Sequence, residues 1–219
     1  MVAVTSDQPA LVRIRGALLA TAIAEHFRAQ GRDVLLLMDS LTRVAMAQRE
    51  VGLATGEPPT ARGYTPSVFA LMPQLLERSG CGPDGSVTGI YTVLVEQDDM
   101  NDPIADAARS VLDGHVVLSR RLASANHYPA VDVLESVSRV MHDVASPEHR
   151  QAAAEGRRHL ATYRDAEDLV QIGAYARGSN ADIDAALDRR PRLLEFLRQA
   201  PDELGGFPDT LARLRAAVA

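Results

Sequence analysis

The sequence predicts an α/β fold in which a partial parallel sheet with flanking helices precedes a small all-helical domain. Two mostly apolar runs, at residues 34–38 and 88–95, are each followed by an acidic residue. Runs of this kind are typical of buried parallel strands, and their alternation with helical patterns favours a sheet with crossover connections. From residue 147 onward, helical periodicity continues without strand patterns. We therefore predict two domains, residues 1–146 and 147–219.

The N-terminal part of the chain alternates strand and helix patterns. Residues 2–5 predict a strand, and Pro9 then supplies a start for a helix that ends near Gln30. The apolar run 34–38 predicts the next strand, and a second helix follows it and ends near Gly52. This order is the one expected of a parallel sheet.

A long loop separates these elements from the next ones. The stretch between Gly52 and Pro66 is rich in glycine, proline and threonine, and loops of this length at a sheet edge are often functional. The later elements are a helix from Pro66, a strand at 88–96, a helix from Asp102 to Leu112, a strand at 114–119, a short and partly apolar segment at 131–141, and helices at 152–163, 166–177, 183–199 and 208–218.

Composition narrows the class of function. A net charge of -6 provides no basic face, which disfavours binding to the nucleic-acid backbone. No apolar run approaches the roughly 20 residues needed to span a bilayer, and the single cysteine, Cys81, allows no internal disulfide, so we expect a cytoplasmic protein. None of the 23 basic residues is lysine. A phosphate-binding loop of the form G-x-x-x-x-G-K-[ST] is therefore not among these residues.

Asp39 directly follows the first strong apolar run. The carboxyl edge of an open α/β sheet is where ligands bind, and a carboxylate there is typical of the Walker B aspartate that holds nucleotide-bound magnesium. The same residue type also caps helices, and the next helix pattern begins at Leu41. On this stretch alone the cap is the favoured interpretation.

Six segments occur together in an order that identifies a family: Leu35–Arg43, Gly56–Pro59, Gly63–Phe69, Leu112–His115, His127–Asp132 and Ser136–Arg139. As a set they resemble the ATPases of type III protein secretion, including the flagellar export ATPase, which are relatives of the rotary ATP synthase catalytic subunits. The resemblance covers nearly the whole chain. The amino-acid sequences of Glu96–Asn101 and Asn126–Pro129 resemble the virulence branch more closely than the flagellar one.

The resemblance implies that the sheet belongs to a RecA-like nucleotide-binding domain of an ATPase that works as a hexameric ring of like subunits. It implies ATP and Mg²⁺ as ligands, and hydrolysis coupled to releasing chaperones from export substrates and unfolding those substrates. The implied partners are stalk and stator proteins of the export apparatus and chaperone–substrate complexes, with no nucleic acid. Membrane association is expected to be at most peripheral, at the inner-membrane export gate.

The chain also departs from the family pattern. In the family an N-terminal β-barrel, the lysine-bearing phosphate loop and the glutamate that activates water precede the matched region. We therefore expect a C-terminal part that does not hydrolyse ATP alone and that exposes sheet and apolar surface. The alternative from another class is a non-catalytic interaction or capping module of the hexamer. A third interpretation is a fragment of a rotary subunit or of a transcription-terminating helicase. The net negative charge and the amino-acid sequence of residues 38–43 disfavour it.

The resemblance assigns roles to residues of the first predicted domain. Asp39 matches the Walker B aspartate, which orders a water in the magnesium shell, and this role now outweighs the helix cap. Arg43, one helical turn later, matches an arginine directed at the terminal phosphate. Its alternative is an ion pair with a nearby acid such as Glu50 or Asp98.

Two further residues match family positions. Arg139 matches the arginine finger that one subunit supplies in trans to its neighbour's nucleotide, where a guanidinium offsets charge on the phosphoryl oxygens; its alternative is a surface arginine. Tyr128 matches an aromatic that packs against the adenine ring, or else makes the turn before Pro129 rigid.

Two possible metal sites receive no assignment. Asp98, Asp99 and Asp102 can be a metal cluster, although a solvated loop and helix cap is the favoured interpretation. The six histidines have no paired ligand spacing, so we assign no zinc.

Overall fold

The computed structural model describes the backbone of residues 1–219 and the side chains of all of them except residue 97. The chain divides into two compact units, residues 1–112 and 113–219. The first unit contains helices Ala10–Arg28 (α1), Leu41–Ala54 (α2), Pro66–Leu76 (α3) and Pro103–Val111 (α4), strands Asp33–Met38 (β1), Gly80–Cys81 (β2) and Ser86–Tyr91 (β3), and 3-10 turns at Ala61–Gly63 and Glu96–Asp98. The second unit contains strands Gly114–Leu118 (β4) and Val131–Ser138 (β5), and helices Arg120–Ser124 (α5), Met141–Val144 (α6), Pro147–Gln171 (α7), Ala181–Leu197 (α8) and Phe207–Val218 (α9).

The sheet of the first unit has the strand order β1-β3-β2. Strands β1 and β3 are parallel, with Leu36 opposite Gly89 and Met38 opposite Tyr91, and β2 is antiparallel to β3. Parallel pairing requires a crossover, which the chain makes through α2 and α3. The predicted α/β class, with a parallel pair followed by a helical C-terminal region, is confirmed.

Only one face of this sheet is buried. Leu36 and Val87 pack against Ala24 of α1, whereas Leu37 and Ile90, which point to the opposite face, are 66% and 53% exposed. Side chains alternate between the faces of a strand, so a strand with one covered face buries every second residue. The continuous apolar run at 34–38 is therefore half buried, and the expected exposed apolar sheet surface is present.

The core of the first unit lies between this sheet and helices α2, α3 and α4. Leu41, Val68, Met72 and Ile104 are fully buried there. Leu41 is the first residue of α2, so the beginning of that helix is fixed in the core.

Three sequence-based assignments differ from the structure. The predicted strand at 2–5 is wrong: the segment forms no strand, and the Val4 side chain lies against Gly16 of α1. The segment 131–141 contains the strand β5, which pairs antiparallel with β4. The two helices predicted at 152–163 and 166–177 form the single helix α7, because no glycine or proline interrupts the chain between them. The predicted end at residue 177 is wrong, since α7 ends at Gln171, two residues before Gly173, whose φ is positive.

The two units do not divide where we predicted the domain boundary. The β4–β5 hairpin belongs to the second unit, where α7 contacts β5. Arg157 of α7 donates hydrogen bonds to the carbonyl oxygens of Ser136 and Leu134 at 3.0 and 3.3 Å, and Arg164 pairs with Glu135 at 2.8 Å. The boundary at residue 146 stays a prediction. No helix among the described residues is both long and apolar enough to cross a bilayer.

Candidate active site

Asp39 lies immediately after β1, at the carboxyl end of the parallel strand pair. Thr92, which follows β3, donates its hydroxyl to Asp39 Oδ1 at 2.8 Å. The Thr92 backbone N–H donates to the Met38 carbonyl at 3.1 Å, and the Leu41 N–H donates to the Thr92 carbonyl at 2.9 Å. The continuation of β3 beyond its last ladder residue therefore holds the Asp39 carboxylate at the sheet edge.

Ser40, not Asp39, caps helix α2. The Ser40 hydroxyl accepts a hydrogen bond from the Arg43 backbone N–H at 3.4 Å, and Ser40 is 2% exposed. The interpretation of Asp39 as a helix cap is therefore wrong, because Ser40, the residue directly before Leu41, occupies the N-cap position. Asp39 has no capping role and keeps an exposed carboxylate whose Oδ2 has no protein partner among the described residues.

Arg43 is exposed on the first turn of α2. Glu50, one of the acids considered as its partner, instead pairs with Arg13 at 2.6 Å. Within the described part of the chain, the Arg43 guanidinium has no hydrogen bond or ion pair. A cation left without a partner beside the Asp39 edge is chemically suited to an external anion, and its role at a phosphate stays a prediction.

The loop between α2 and α3 is held by specific contacts. A Cβ added to Gly52 would overlap the Thr65 side chain, so the loop returns tightly onto α2. Glu57 Oε2 accepts a hydrogen bond from the Ser67 backbone N–H at 3.0 Å, and Gln48 donates to the Ser67 hydroxyl at 3.0 Å. These bonds satisfy groups at the N-terminus of α3, where Thr65 makes no side-chain cap.

The acidic segment after β3 forms a loop and a helix cap. Asp102 Oδ1 accepts hydrogen bonds from the Ile104 and Ala105 backbone N–H groups at 2.9 and 3.1 Å, which caps α4. Arg62 pairs with Asp99, and with Asp102 at 3.4 Å. These contacts confirm the interpretation as a loop and cap.

The Asp99 carboxylate has a lowered pKa. The cause is first its hydrogen bond from the Asn101 backbone N–H and then the Arg62 guanidinium. No group of three or more potential metal ligands is found among the described residues.

Arg139 and Tyr128 both lie in the second unit. Arg139 directly follows β5, and its backbone N–H donates to the Asp113 carbonyl at 2.7 Å. Tyr128 precedes the cis-proline Pro129, and its carbonyl accepts a hydrogen bond from the Gln199 N–H at 3.0 Å, while the residue as a whole is 53% exposed. The Tyr128 backbone thus has a structural role in the turn, and its ring remains open to a ligand.

The sequence analysis did not identify Thr92 or Ser40 as site residues. Thr92 lies beside Asp39 because Met38 and Tyr91 are partners in the parallel register, and this register is not readable from the sequence. Ser40 has the residue type of a helix cap, but so does Asp39, so residue type alone does not choose between them.

Two family models match the chain. Residues 1–138 match the ATP synthase alpha/beta family, nucleotide-binding domain, and residues 145–216 match the T3SS EscN ATPase C-terminal domain. The flagellum-specific ATP synthase of Bacillus subtilis is 55% identical over 214 residues, which cover 98% of this chain and 49% of the relative. The type 3 secretion system ATPase of Xanthomonas euvesicatoria is 53% identical over 218 residues, covering all of this chain and 49% of the relative.

A solved structure gives the same result. The assembled ATPase EscN of the enteropathogenic E. coli type III secretion system superposes with a TM-score of 0.96 at 50% identity, over 99% of this chain and 52% of that one. EscN in complex with its central stalk EscO superposes with a TM-score of 0.90 at 49% identity.

The chain spans about half the length of the relatives it matches. Flagellar and secretion relatives are similar to it at nearly equal identity, so the virulence branch stays a prediction. The half-covered parallel sheet with an aspartate at its edge is part of a RecA-like nucleotide-binding fold, and the chain belongs to the ATP synthase alpha/beta family, within its type III secretion and flagellar export ATPases.

Proposed function

We propose that this chain provides one side of the nucleotide site in an ATPase that drives protein export, where hydrolysis is coupled to releasing chaperones from export substrates and unfolding those substrates. The observation that carries the proposal is the Asp39 carboxylate. It is exposed at the carboxyl edge of β1, is oriented by Thr92, and is not used as a helix cap. This is the place at which α/β sheets bind ligands.

The residues present fit Mg²⁺ and ATP in part. Asp39 offers the hard oxygen ligand that Mg²⁺ prefers and would hold the ion through water. Arg43 would face the terminal phosphate, and Tyr128 offers an exposed ring for the adenine. Bound Mg²⁺ would supply neutralisation of phosphate charge. The lysine of a phosphate loop would have to come from residues other than these 219.

The 219-residue chain alone should therefore not hydrolyse ATP. The test is phosphate release from Mg-ATP by the purified chain, with Asp39→Asn as the matched variant. We expect both proteins to be inactive. Robust turnover that disappears in Asp39→Asn would contradict this part of the proposal.

The role of Asp39 is tested in a chimaera. This chain replaces the matching residues of the Bacillus subtilis relative, to which it is 55% identical, and ATP hydrolysis is measured. Asp39→Asn should abolish most of the activity, whereas Asp106→Asn, on the exposed face of α4, should not change it. Thr92→Val should raise the Mg²⁺ concentration for half-maximal activity by about 10- to 100-fold, and Thr92→Ser should restore it. An active Asp39→Asn chimaera would exclude the proposed role.

The role of Arg139 is tested by mixing subunits. An arginine finger contributes about 10³ to 10⁵ in rate where it has been measured, so Arg139→Ala chimaeras should be nearly inactive. If the finger acts in trans, mixing Arg139→Ala subunits with Asp39→Asn subunits restores some intact sites and therefore some activity. Unchanged inactivity in rings shown to be mixed would contradict action in trans.

The proposal includes partners and a location. EscN, which is 50% identical to this chain in its assembled structure and 49% identical in its complex with the central stalk, forms both of these assemblies. We infer a hexameric ring of like subunits, contacts with stalk and stator proteins, and binding of chaperone–substrate complexes. The expected location is the cytoplasm, with at most peripheral association with the inner membrane.

The exposed sheet face supports a second candidate function, a non-catalytic module that joins or caps an export ATPase ring. Leu35 and Leu37 of β1 and Ile90 of β3 form an apolar surface next to the Asp39 edge. This surface favours association with another protein. A pull-down of a full-length export ATPase by this chain, compared with Leu35→Glu/Leu37→Glu, tests the second candidate, because a joining or capping module requires binding and the variant should lose it. Absence of binding by the unmodified chain would exclude this candidate.

A further inference from the structure

A cleft in the second unit contains neither Tyr128 nor Arg139. It has a volume of about 250 Å³ and lies where the segment from α5 to β5 meets helices α7 and α8. Its walls are largely aliphatic, and they are formed by Leu122, Val131, Leu160, Leu194 and Leu197. The space is suited to an apolar group of side-chain size.

Four arginines also line this cleft, and two of them are paired with acids. Arg121 pairs with Glu167 at 3.4 Å, and Arg164 pairs with Glu135 at 2.8 Å. The remaining acid of the lining, Asp132, accepts hydrogen bonds from two backbone N–H groups, at 3.0 and 3.2 Å. The carboxylates of the cleft are therefore already engaged.

The other two arginines have no acidic partner. Arg190 lies over the Tyr163 ring at 4.1 Å, and Arg198 follows the end of α8. Neither makes an ion pair with any residue that the structure describes. The cleft therefore carries an uncompensated positive charge beside its apolar wall.

His127 is a buried polar group in the same cleft. It is 4% exposed, and its ring makes no hydrogen bond within the described residues. Burial first and then the nearby Arg198 charge lower its pKa, so the imidazole is neutral at neutral pH. A neutral imidazole has one N–H donor and one acceptor, and neither ring nitrogen of His127 is sealed from the cleft. A ligand carboxylate in the cleft can accept from this N–H.

We propose that this cleft binds an organic carboxylate that carries an apolar group, with the apolar group on the leucine wall and the carboxylate between Arg198 and His127. A guanidinium matches a carboxylate in geometry as well as in charge. The site goes beyond the proposed ATPase function, since Asp39 and Arg43 belong to the first unit and the cleft residues to the second. Free acids and acidic peptide segments share this chemistry.

The test uses the 219-residue chain and two probes, 4-phenylbutyrate and an acetylated peptide of alternating leucine and glutamate. Binding is followed by calorimetry and by the NMR shifts of the His127 ring. We expect low-millimolar or tighter binding, with 4-phenylbutanamide, which lacks the charge, at least about tenfold weaker. Tighter binding of 4-phenylbutyrate would identify a free acid as the ligand class, and tighter binding of the peptide would identify a peptide segment.

Two variants and a control locate the binding. Arg198→Gln should weaken it by about tenfold or more, whereas Arg192→Gln, an exposed arginine of α8 outside the cleft, should not change it. Ala125→Phe, which adds bulk at the exposed edge of the cleft without removing a charge, should also weaken binding. Absence of binding by both probes, equal binding of the amide, or shifts that leave His127 unchanged would overturn the proposal.

Discussion

The two units bury their apolar side chains in different ways. In residues 1–112 the helices cover one face of the sheet, so Leu36 is 8% exposed while its neighbour Leu37 is 66% exposed. In residues 113–219 helices α7, α8 and α9 surround a core of their own, with Leu193 at 2% and Val218 at 6% exposed. The first unit therefore leaves an apolar surface uncovered, and the second leaves space between its elements.

The candidate ligand sites of the two units differ in the same way. In the first unit the candidate site is at the sheet edge, where backbone pairing and one threonine hydroxyl fix Asp39. In the second unit the room is between elements, as in the cleft of His127 and in another cavity of about 250 Å³ beside Gly156. The carboxyl ends of parallel strands are where α/β sheets bind ligands, and gaps between helices are common sites for apolar groups.

Two substitutions in β1 test whether only one face of the sheet is covered, and one of them should give the largest loss of stability. Leu36→Ala should lower the free energy of unfolding by about 2 to 4 kcal/mol, because it removes a buried side chain and leaves a cavity. Leu37→Ala on the same strand should change it by less than about 0.5 kcal/mol, because that side chain is already in solvent. Chemical denaturation followed by circular dichroism measures both. Equal losses for the two variants would show that both faces of the sheet are covered in solution.

The next effect contrasts two helical glycines. Gly52→Ala in α2 should destabilise the protein by about 1 to 3 kcal/mol, because the new Cβ would overlap Thr65. Gly156→Ala in α7 should stabilise it by up to about 1 kcal/mol, because alanine favours the helix and the new Cβ would lie 3.4 Å from the nearest atoms of Leu193 and Val218. Denaturation midpoints give the two signs. A destabilising Gly156→Ala would mean that α7, α8 and α9 pack as tightly around Gly156 as Thr65 packs against Gly52.

A smaller effect concerns the acidic loop of the first unit. Asp102→Ala removes the cap of α4 and one partner of Arg62, and should cost about 1 to 2 kcal/mol of unfolding free energy. Asp106→Ala, whose side chain is 79% exposed, is the matched control and should be nearly neutral. If the two variants behave alike in urea, the cap does not contribute to stability.

The smallest effect is a pH dependence that belongs to the second unit. Burial lowers the pKa of both His127 and His159 below the ordinary value of 6.5. The unfolded chain therefore takes up protons at a higher pH than the folded chain, and the free energy of unfolding should fall as pH decreases through 6.5 toward the folded values. His159, at 5% exposure, has a ring Nε2 without a hydrogen bond among the described residues.

The measurement is urea denaturation at a series of pH values from about 7.5 to 5.5. His159→Gln should flatten the dependence, and His142→Gln, an exposed histidine on α6, should leave it unchanged. A stability that rises on acidification over this range would contradict the lowered pKa values.

Much of the fold was predictable because its causes are local. The apolar run at 34–38 and the caps and breakers around α2 and α3 act over a few residues, and these elements were predicted nearly at their observed positions. The strand β5 was missed because its pattern is only partly apolar and its stability comes from pairing with β4. The strand at 2–5 was wrong for the related reason that no described strand pairs with it.

The candidate site divides in the same way. The position of Asp39 after an apolar strand, and the matches of Arg43, Tyr128 and Arg139 to family segments, were visible in the sequence. Their roles at a nucleotide stay predictions. The contact that orients Asp39 was not visible in the sequence, because Thr92, which makes it, lies 53 residues away along the chain.

The class of the fold, the charged residue that follows the first apolar run and the lack of lysine were all evident from residue type and spacing along the chain. The family was evident from the resemblance of six segments to known sequences. Three features required the three-dimensional structure. Ser40 rather than Asp39 caps α2, Thr92 holds the Asp39 carboxylate, and one face of the sheet is exposed. The tertiary structure also brought His127 and Arg198 into one cleft. The physical reason is that register, capping geometry and burial depend on contacts between distant residues, and local patterns do not encode those contacts one by one.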